Sequence, residues 1–230
     1  MLRSRLLAIY QALLNAYGPQ HWWPGDTPWE VIVGAILTQS AAWTNVEKAI
    51  ANLRAAGVLS VEGIHGTTED ALAALIRPSG YYNAKARKLK AFADHLFAVY
   101  SGDLAVMLAR PVDELRAELL GIHGVGPETA DSILLYAANR PVFVIDAYTR
   151  RSAARLGLCD LAIRYDALRA LFMDTLPRQA SLFNEYHALF VRLGKEACRK
   201  RPLCSVCPLA AQLCPSAGAS APAGSLAPTA

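Results

Sequence analysis

Four cysteines crowd the segment CRKRPLCSVCPLAAQLC, as Cys198, Cys204, Cys207 and Cys214 in a C-x5-C-x2-C-x6-C pattern. Thiolates are soft metal ligands, and four of them in one short segment can wrap a single compact site. A [4Fe–4S] cubane takes four cysteine thiolates. Structural zinc more often uses two separated C-x2-C pairs, and only one such close pair occurs here. Within the first interval Arg199, Lys200 and Arg201 place three adjacent cations beside the metal candidate, a set suited to phosphate contacts. The fifth cysteine, Cys159, lies alone in the apolar stretch RLGLCDL and reads as a small core residue. An odd count split in this way argues against a disulfide framework.

A second constellation lies upstream, in LLGIHGVGPETAD followed by VFVIDAYTRR. Gly124 and Gly126 permit positive φ and carry no Cβ, while Pro127 suits the first turn of a helix expected to continue through Tyr136. Backbone N–H groups at such a turn can cradle an anion. Asp146 follows a buried-looking apolar run and precedes a helix bearing Arg150, Arg151 and Arg155; the plain reading of that carboxylate is an N-cap. Trp22, Trp23, Trp29 and Trp43 form a dense aromatic group, with Trp29, at a helix start, the most core-like. The histidines, His123 and His187 among them, show no metal-ligand spacing and carry no assigned role.

The elements that must hold these residues are helical. PWEVIVGAILTQSAAWTNVEKAIANLRAAG, TEDALAALIR, NAKARKLKAFADHLFAVY, PVDELRAELLG, GPETADSILLYAANR and YDALRALFMDTL all carry apolar residues at three- and four-residue intervals. The N-terminal MLRSRLLAIYQALLNAYG reads as an amphipathic helix rather than a secretory signal. Only PVFVI looks strand-like, too short and isolated for a sheet, so the expected class is all-α. With 230 residues and 53% apolar composition there is material for one large or two small domains. The net charge of +4 is only a weak pointer to a polyanionic partner. No stretch approaches the ~18 continuous apolar residues of a membrane span, and a cytoplasmic protein is expected. Residues 216–230, SAGASAPAGSLAPTA, have no charge, aromatic residue or periodicity and are expected to be disordered.

Taken together, ILTQS, RPSGYYNAKARKL, LLGIHGVGPETAD, the aspartate of VFVIDAYTRR and the cysteine cluster resemble the helix-hairpin-helix DNA glycosylases of the endonuclease III superfamily, in the family's order from about Trp22 to Cys214. The resemblance implies two helical domains with damaged double-stranded DNA bound in the cleft between them. One would be a barrel over 21–135 containing the hairpin motif at about 112–137; the other would combine 1–20 with 136–215 and hold the [4Fe–4S] cluster. The family's usual cluster spacing is C-x6-C-x2-C-x5-C, so the outer intervals are transposed here. A monomer, associated with the nucleoid when bound to DNA, is expected.

The resemblance also implies roles. The hairpin with Gly124 and Gly126 holds a backbone phosphate, and Asp146 is the essential carboxylate. Gln39 and Tyr81 occupy the places where family members insert side chains into the duplex. Bifunctional members carry a lysine at the position of Glu128, which attacks the sugar as a Schiff-base nucleophile. A glutamate cannot do so, which implies a monofunctional enzyme; Glu128 is then a supporting acid or a favourable charge in the first helical turn. HWWPGDTPWEVIVGAILTQSAAW is similar to the 3-methyladenine glycosylase branch, in which the residues matching Trp22, Trp23, Pro24 and Trp43 sandwich the damaged base. The alternatives are an endonuclease III-type glycosylase and lyase for oxidised pyrimidines, and a non-catalytic protein that binds damaged DNA.

Overall fold

The computed structural model describes residues 1–23 and 25–220, and among them the chain is all-helical, with no strand. In the strand-like run 141–145, residues 142–145 are buried, and the run has no regular secondary structure. The chain divides into two compact units. A mid-chain unit comprises His21–Val144 with Gln179–Phe183, and a terminal unit comprises Met1–Gln20, Ile145–Arg178 and the chain from Asn184 on. The crossover falls between 144 and 145, nine residues later than the 135/136 expected from sequence, because buried Val142, Phe143 and Val144 belong to the core of the mid-chain unit.

The mid-chain unit begins with α2 (Pro28–Leu37), where Thr27 accepts a hydrogen bond from the Glu30 N–H at 3.2 Å and Pro28 sits in the first turn. The long periodic stretch that starts here is broken by a turn at 38–42, and α3 (Trp43–Ala55) follows. Short helices α4 (Val61–Gly66) and α5 (Glu69–Leu75), capped by Ser60 and Thr68, lead through a 3-10 turn at Arg77–Ser79 into α6 (Tyr82–Tyr100). The α6 stripe of Leu89, Phe92, Ala93 and Leu96 is fully buried at helical spacing, each large side chain contributing roughly 1.5–3 kcal/mol. Trp29 packs on Phe92 with centroids 5.9 Å apart, as its core-like position predicts. After α7 (Leu104–Leu108) come α8 (Val112–Gly121) and α9 (Pro127–Ser132), the two arms of the hairpin. The helix expected to run on through Tyr136 widens instead into a π-helical turn at Ile133–Ala137.

The terminal unit docks α1 (Leu2–Tyr17) on the C-terminal part of the chain. Leu6, Ile9 and Leu13 of α1 are fully buried, and the Tyr186 hydroxyl donates to the Leu6 carbonyl at 2.8 Å. Around Tyr186 lie Phe172 of α11 (Tyr165–Thr175) and Phe190, the latter stacked at 4.9 Å, both Tyr186 and Phe190 belonging to α12 (Ala180–Glu196). α10 (Ala147–Arg155) opens this unit after the crossover. At the C-terminal end, Pro215–Ser220 forms a 3-10 turn, so structure persists into the segment expected to be disordered. Pro215 packs on Gly157, and Ser216 and Ala217 wall a cavity shared with the cysteines. The rest of that segment, 221–230, lies outside the described residues.

Candidate functional site

In the mid-chain unit the structure gathers the tryptophans. Trp22, Trp23 and Trp43 are mutual neighbours, with ring centroids 5.6 Å apart for Trp22–Trp23, 5.9 Å for Trp22–Trp43 and 5.4 Å for Trp23–Trp43. The angles, 51° to 88°, are the tilted and edge-to-face arrangements that the aromatic quadrupole favours. Trp23 lies over Gly34 of α2, whose missing Cβ leaves the indole room at 3.3 Å. The Trp43 indole N–H donates to Glu47 one turn along α3 at 2.9 Å. All three rings are partly exposed, unlike Trp29. Pro24 lies outside the described residues.

Tyr136 joins this group without any signal in its local sequence. Its ring centroid is 5.1 Å from that of Trp23, and it sits on the π-helical turn that follows α9. A π turn shifts the following side chains around the helix axis, so ideal α-helical spacing would not have pointed to it.

The hairpin between α8 and α9 uses its two glycines differently. Gly124 has φ of +84°, and a Cβ there would meet Lys88 side-chain carbons at 2.2–2.9 Å. Gly126 is the N-cap of α9 with φ of −92° and nothing within 4 Å of a built Cβ, so it requires neither left-handed backbone nor close approach. The expectation that both glycines serve the turn conformation is therefore corrected: Gly124 alone does. Pro127 occupies the first turn, and Glu128 stands exposed beside it on α9.

Gln39 and Tyr81, paired in the sequence reading, stand in different environments. The Gln39 amide donates to the Gly124 carbonyl at 3.1 Å and to Thr129 Oγ1 at 3.0 Å, and its oxygen accepts from Lys88 Nζ. Its polar atoms are engaged within the protein rather than projecting from it. Tyr81 is a left-handed residue (φ 45°) at the N-cap of α6, with 75% of its surface exposed. Lys85, one turn into α6, is buried and donates from Nζ to the Leu37 and Ser79 carbonyls, each at 2.7 Å. It thereby ties the turn that carries Tyr81 to the end of α2, two residues before Gln39.

In the terminal unit Asp146 is the N-cap of α10, its Oδ1 accepting the Thr149 N–H at 2.6 Å. The plain reading of this residue is thus correct, yet it is incomplete. The second carboxylate oxygen lies 3.7 Å from Nε2 of His187, a residue of α12 distant in sequence and 95% buried. Burial pushes the His187 pKa down, and the nearby Asp146 charge offsets this only in part.

The opposite end of α10 faces the cysteines. Cys198, Cys204, Cys207 and Cys214 line one cavity together with Arg155, Ala197, Pro202 and Ala210. Arg155 donates to Cys198 Sγ at 3.3 Å and to the carbonyls of Arg199 and Lys200, and Arg151 donates to the Cys198 carbonyl at 2.7 Å. Burial pushes the Cys207 thiol up, the Leu209 N–H pulls it down, and the three other cysteines add to the rise. Among the described residues no three Cys, His, Asp or Glu side chains converge closely enough to hold a single metal ion. Arg199, Lys200 and Arg201 are exposed on the loop that leaves Cys198. Cys159, expected in the core, is only partly buried, and burial with Asp160 nearby raises its pKa.

Comparison with known proteins places this geometry in context. Residues 33–178 match the family described as HhH-GPD superfamily base excision DNA repair protein. A Methanocaldococcus jannaschii protein assigned to the DNA repair glycosylases is 48% identical over 203 residues, spanning 87% of this chain and 92% of its own. Among solved structures, a trapped endonuclease III–DNA covalent intermediate superposes with a TM-score of 0.82 over 94% of this chain and 97% of its own, at 22% identity, a likeness of fold. The H. pylori 3-methyladenine DNA glycosylase bound to 1,N6-ethenoadenine is 28% identical with a TM-score of 0.67, over 85% of this chain and 97% of its own. With the family match covering more than half its length and a relative at this identity, the chain belongs to the HhH-GPD superfamily of base excision DNA repair proteins.

Proposed function

We propose that this protein is a monofunctional DNA glycosylase that hydrolyses the N-glycosidic bond of alkylated purines such as 3-methyladenine, flipped out of double-stranded DNA. The observation that carries the substrate class is a group of four partly exposed aromatic rings, Trp22, Trp23 and Trp43 in mutual contact and Tyr136 against Trp23. An alkylated purine carries a formal positive charge, and aromatic faces attract it by about 0.5–2 kcal/mol. That charge also makes the base a good leaving group, so a strong general acid is not required. The 28% identity to a glycosylase solved with a modified adenine supports the same reading.

In this reading Asp146 is the catalytic carboxylate. Cleavage of the bond develops positive charge on the sugar, which an ionised carboxylate stabilises while it orients the attacking water. Glu128 has no amine to form an imine, so the abasic strand is left uncut. Tyr81 is the better placed of the two candidate wedges, since it is exposed and Gln39 is bound to the hairpin. Gly124, Gly126 and the Arg199–Arg201 loop supply contacts to the DNA backbone.

The cysteine cavity fits a [4Fe–4S] cluster. Its donor set is four thiols around one space, as the cubane requires. Structural zinc more often uses two separated C-x2-C pairs, and only one such close pair occurs here. When bound, the cluster supplies a fixed framework for the loop 198–214 rather than a step in hydrolysis. Iron and acid-labile sulfide in equal amounts in the purified protein are expected; zinc in their place would overturn this assignment.

The deciding measurement is chromatography of free bases released from methylated duplex DNA, beside a duplex carrying thymine glycol. Release of 3-methyladenine without strand cleavage, lost in Asp146→Asn with DNA binding retained, is the expected result. Thymine glycol release with a borohydride-trapped adduct would favour the glycosylase and lyase reading. No release from either duplex would leave a protein that only binds damaged DNA.

A further inference from the structure

We propose that His187 is the positioning residue for Asp146: as the Nε2–H tautomer it fixes the second carboxylate oxygen without cancelling the carboxylate's charge. This rests on the glycosylase reading above, in which Asp146 faces the reacting sugar.

The argument begins with what the N-cap leaves undone. The Thr149 N–H holds Oδ1 at 2.6 Å, and a single anchor leaves the carboxylate free to turn about its terminal torsion, whose energy wells are broad. His187 Nε2, 3.7 Å from Oδ2, is the second anchor, supplied by a different helix. With both oxygens anchored, the lone pairs left for water and sugar have a fixed direction. A separation of 3.7 Å is longer than a hydrogen bond, and contacts of this kind tighten when substrate is in place.

The choice of histidine has a physical reason. His187 lies in an unbroken run of buried residues, 186–191, where a protonated ring would be costly. A neutral imidazole presents a dipole, so Asp146 keeps its whole charge for the developing oxocarbenium ion. An arginine or lysine in the same place would oppose that charge directly. Orientation and undiminished charge are therefore obtained together only from a neutral donor.

The test compares wild type, His187→Leu and His187→Gln in the full chain, with thermal melting to register folding. Two quantities are read: single-turnover base release from methylated duplex, and affinity for duplexes carrying either a neutral tetrahydrofuran abasic site or a pyrrolidine cation that mimics the charged sugar. Removing the donor should slow release roughly 10- to 100-fold and weaken pyrrolidine binding by a comparable factor, while tetrahydrofuran binding holds. His187→Gln, which restores an N–H donor, should recover much of both and carries the test if the leucine variant melts early. A leucine variant that melts, releases base and prefers the cation as wild type does would overturn the proposal. So would a glutamine variant that folds but shows no recovery, or equal loss of affinity for both duplexes. Failure of the glycosylase reading looks different: wild type itself would release no base and show no preference for the cation.

Discussion

The Arg116 guanidinium grips the fully buried Asp131 carboxylate with two nitrogens, Nε to Oδ1 at 2.8 Å and Nη2 to Oδ2 at 3.2 Å, joining α8 to α9 across the hairpin. Removing one member of a buried pair takes away much of the other charge's compensation, at a cost of up to about 3–5 kcal/mol. Arg116→Met should therefore lower unfolding stability by about 3 kcal/mol. Chemical denaturation measures this, and a loss below about 1 kcal/mol would show that the pair is far weaker than its geometry suggests.

The two hairpin glycines should respond differently to alanine. At Gly124 the added Cβ meets both a positive φ and the Lys88 stem, so Gly124→Ala should cost roughly 1–3 kcal/mol and weaken DNA binding. Gly126→Ala has open space and ordinary backbone, and should stay within about 0.5 kcal/mol of wild type. Equal effects at the two positions in thermal melts would contradict the different uses described for them.

Tyr81 separates stability from function. Its side chain is mostly solvated, so Tyr81→Ala should leave the melting temperature nearly unchanged. If the ring fills the gap left by a flipped base, its loss removes stacking of about 1–3 kcal/mol, and release from duplex DNA should fall roughly 5- to 150-fold. Release from a lesion in single-stranded DNA, where no gap opens, should change little. An equal loss on both substrates would place Tyr81 elsewhere in the mechanism.

Lys85 gives the mid-chain unit a pH signature. Burial, with Lys88 adding to it, lowers its pKa from the ordinary 10.5 to about 8. Between those values the native chain binds fewer protons than the unfolded one, so this group adds stability as pH rises through that window. Lys85→Met abolishes that dependence and leaves the Leu37 and Ser79 carbonyls without their donor. The stability advantage of wild type over Lys85→Met should grow from about pH 8 to about pH 10. An advantage that shrinks on raising the pH would mean that the two carbonyls hold the lysine protonated.

The helical class and most elements are legible in the sequence because apolar periodicity follows directly from one-sided burial, as the α6 stripe illustrates. The short α4 and α7 escape that test, since six and five residues scarcely complete one repeat of the pattern. α12 keeps a strong contrast between its faces even though residues 186–191 are buried in succession. The tryptophan group is suggested by density of one residue type, yet Tyr136 enters through a π turn that spacing cannot foresee. Gln39 shows the limit of position-matching. A side chain at the expected place is diverted by Lys88, Gly124 and Thr129, partners whose convergence only the folded chain reveals. His187 and Asp146 meet from different helices, with nothing in either local segment to announce it.

The division of the chain has a consequence for how such a protein can diversify. Trp22, Trp23, Trp43 and Tyr136 all belong to the mid-chain unit, whereas Asp146, His187 and the four cysteines all belong to the terminal one. Substitutions among the aromatic rings leave every direct partner of the carboxylate untouched, and changes around the carboxylate leave the rings as they are. If the rings recognise the base and Asp146 acts on the bond, as proposed, selection can retune the first while inheriting the second, through a handful of positions in one unit.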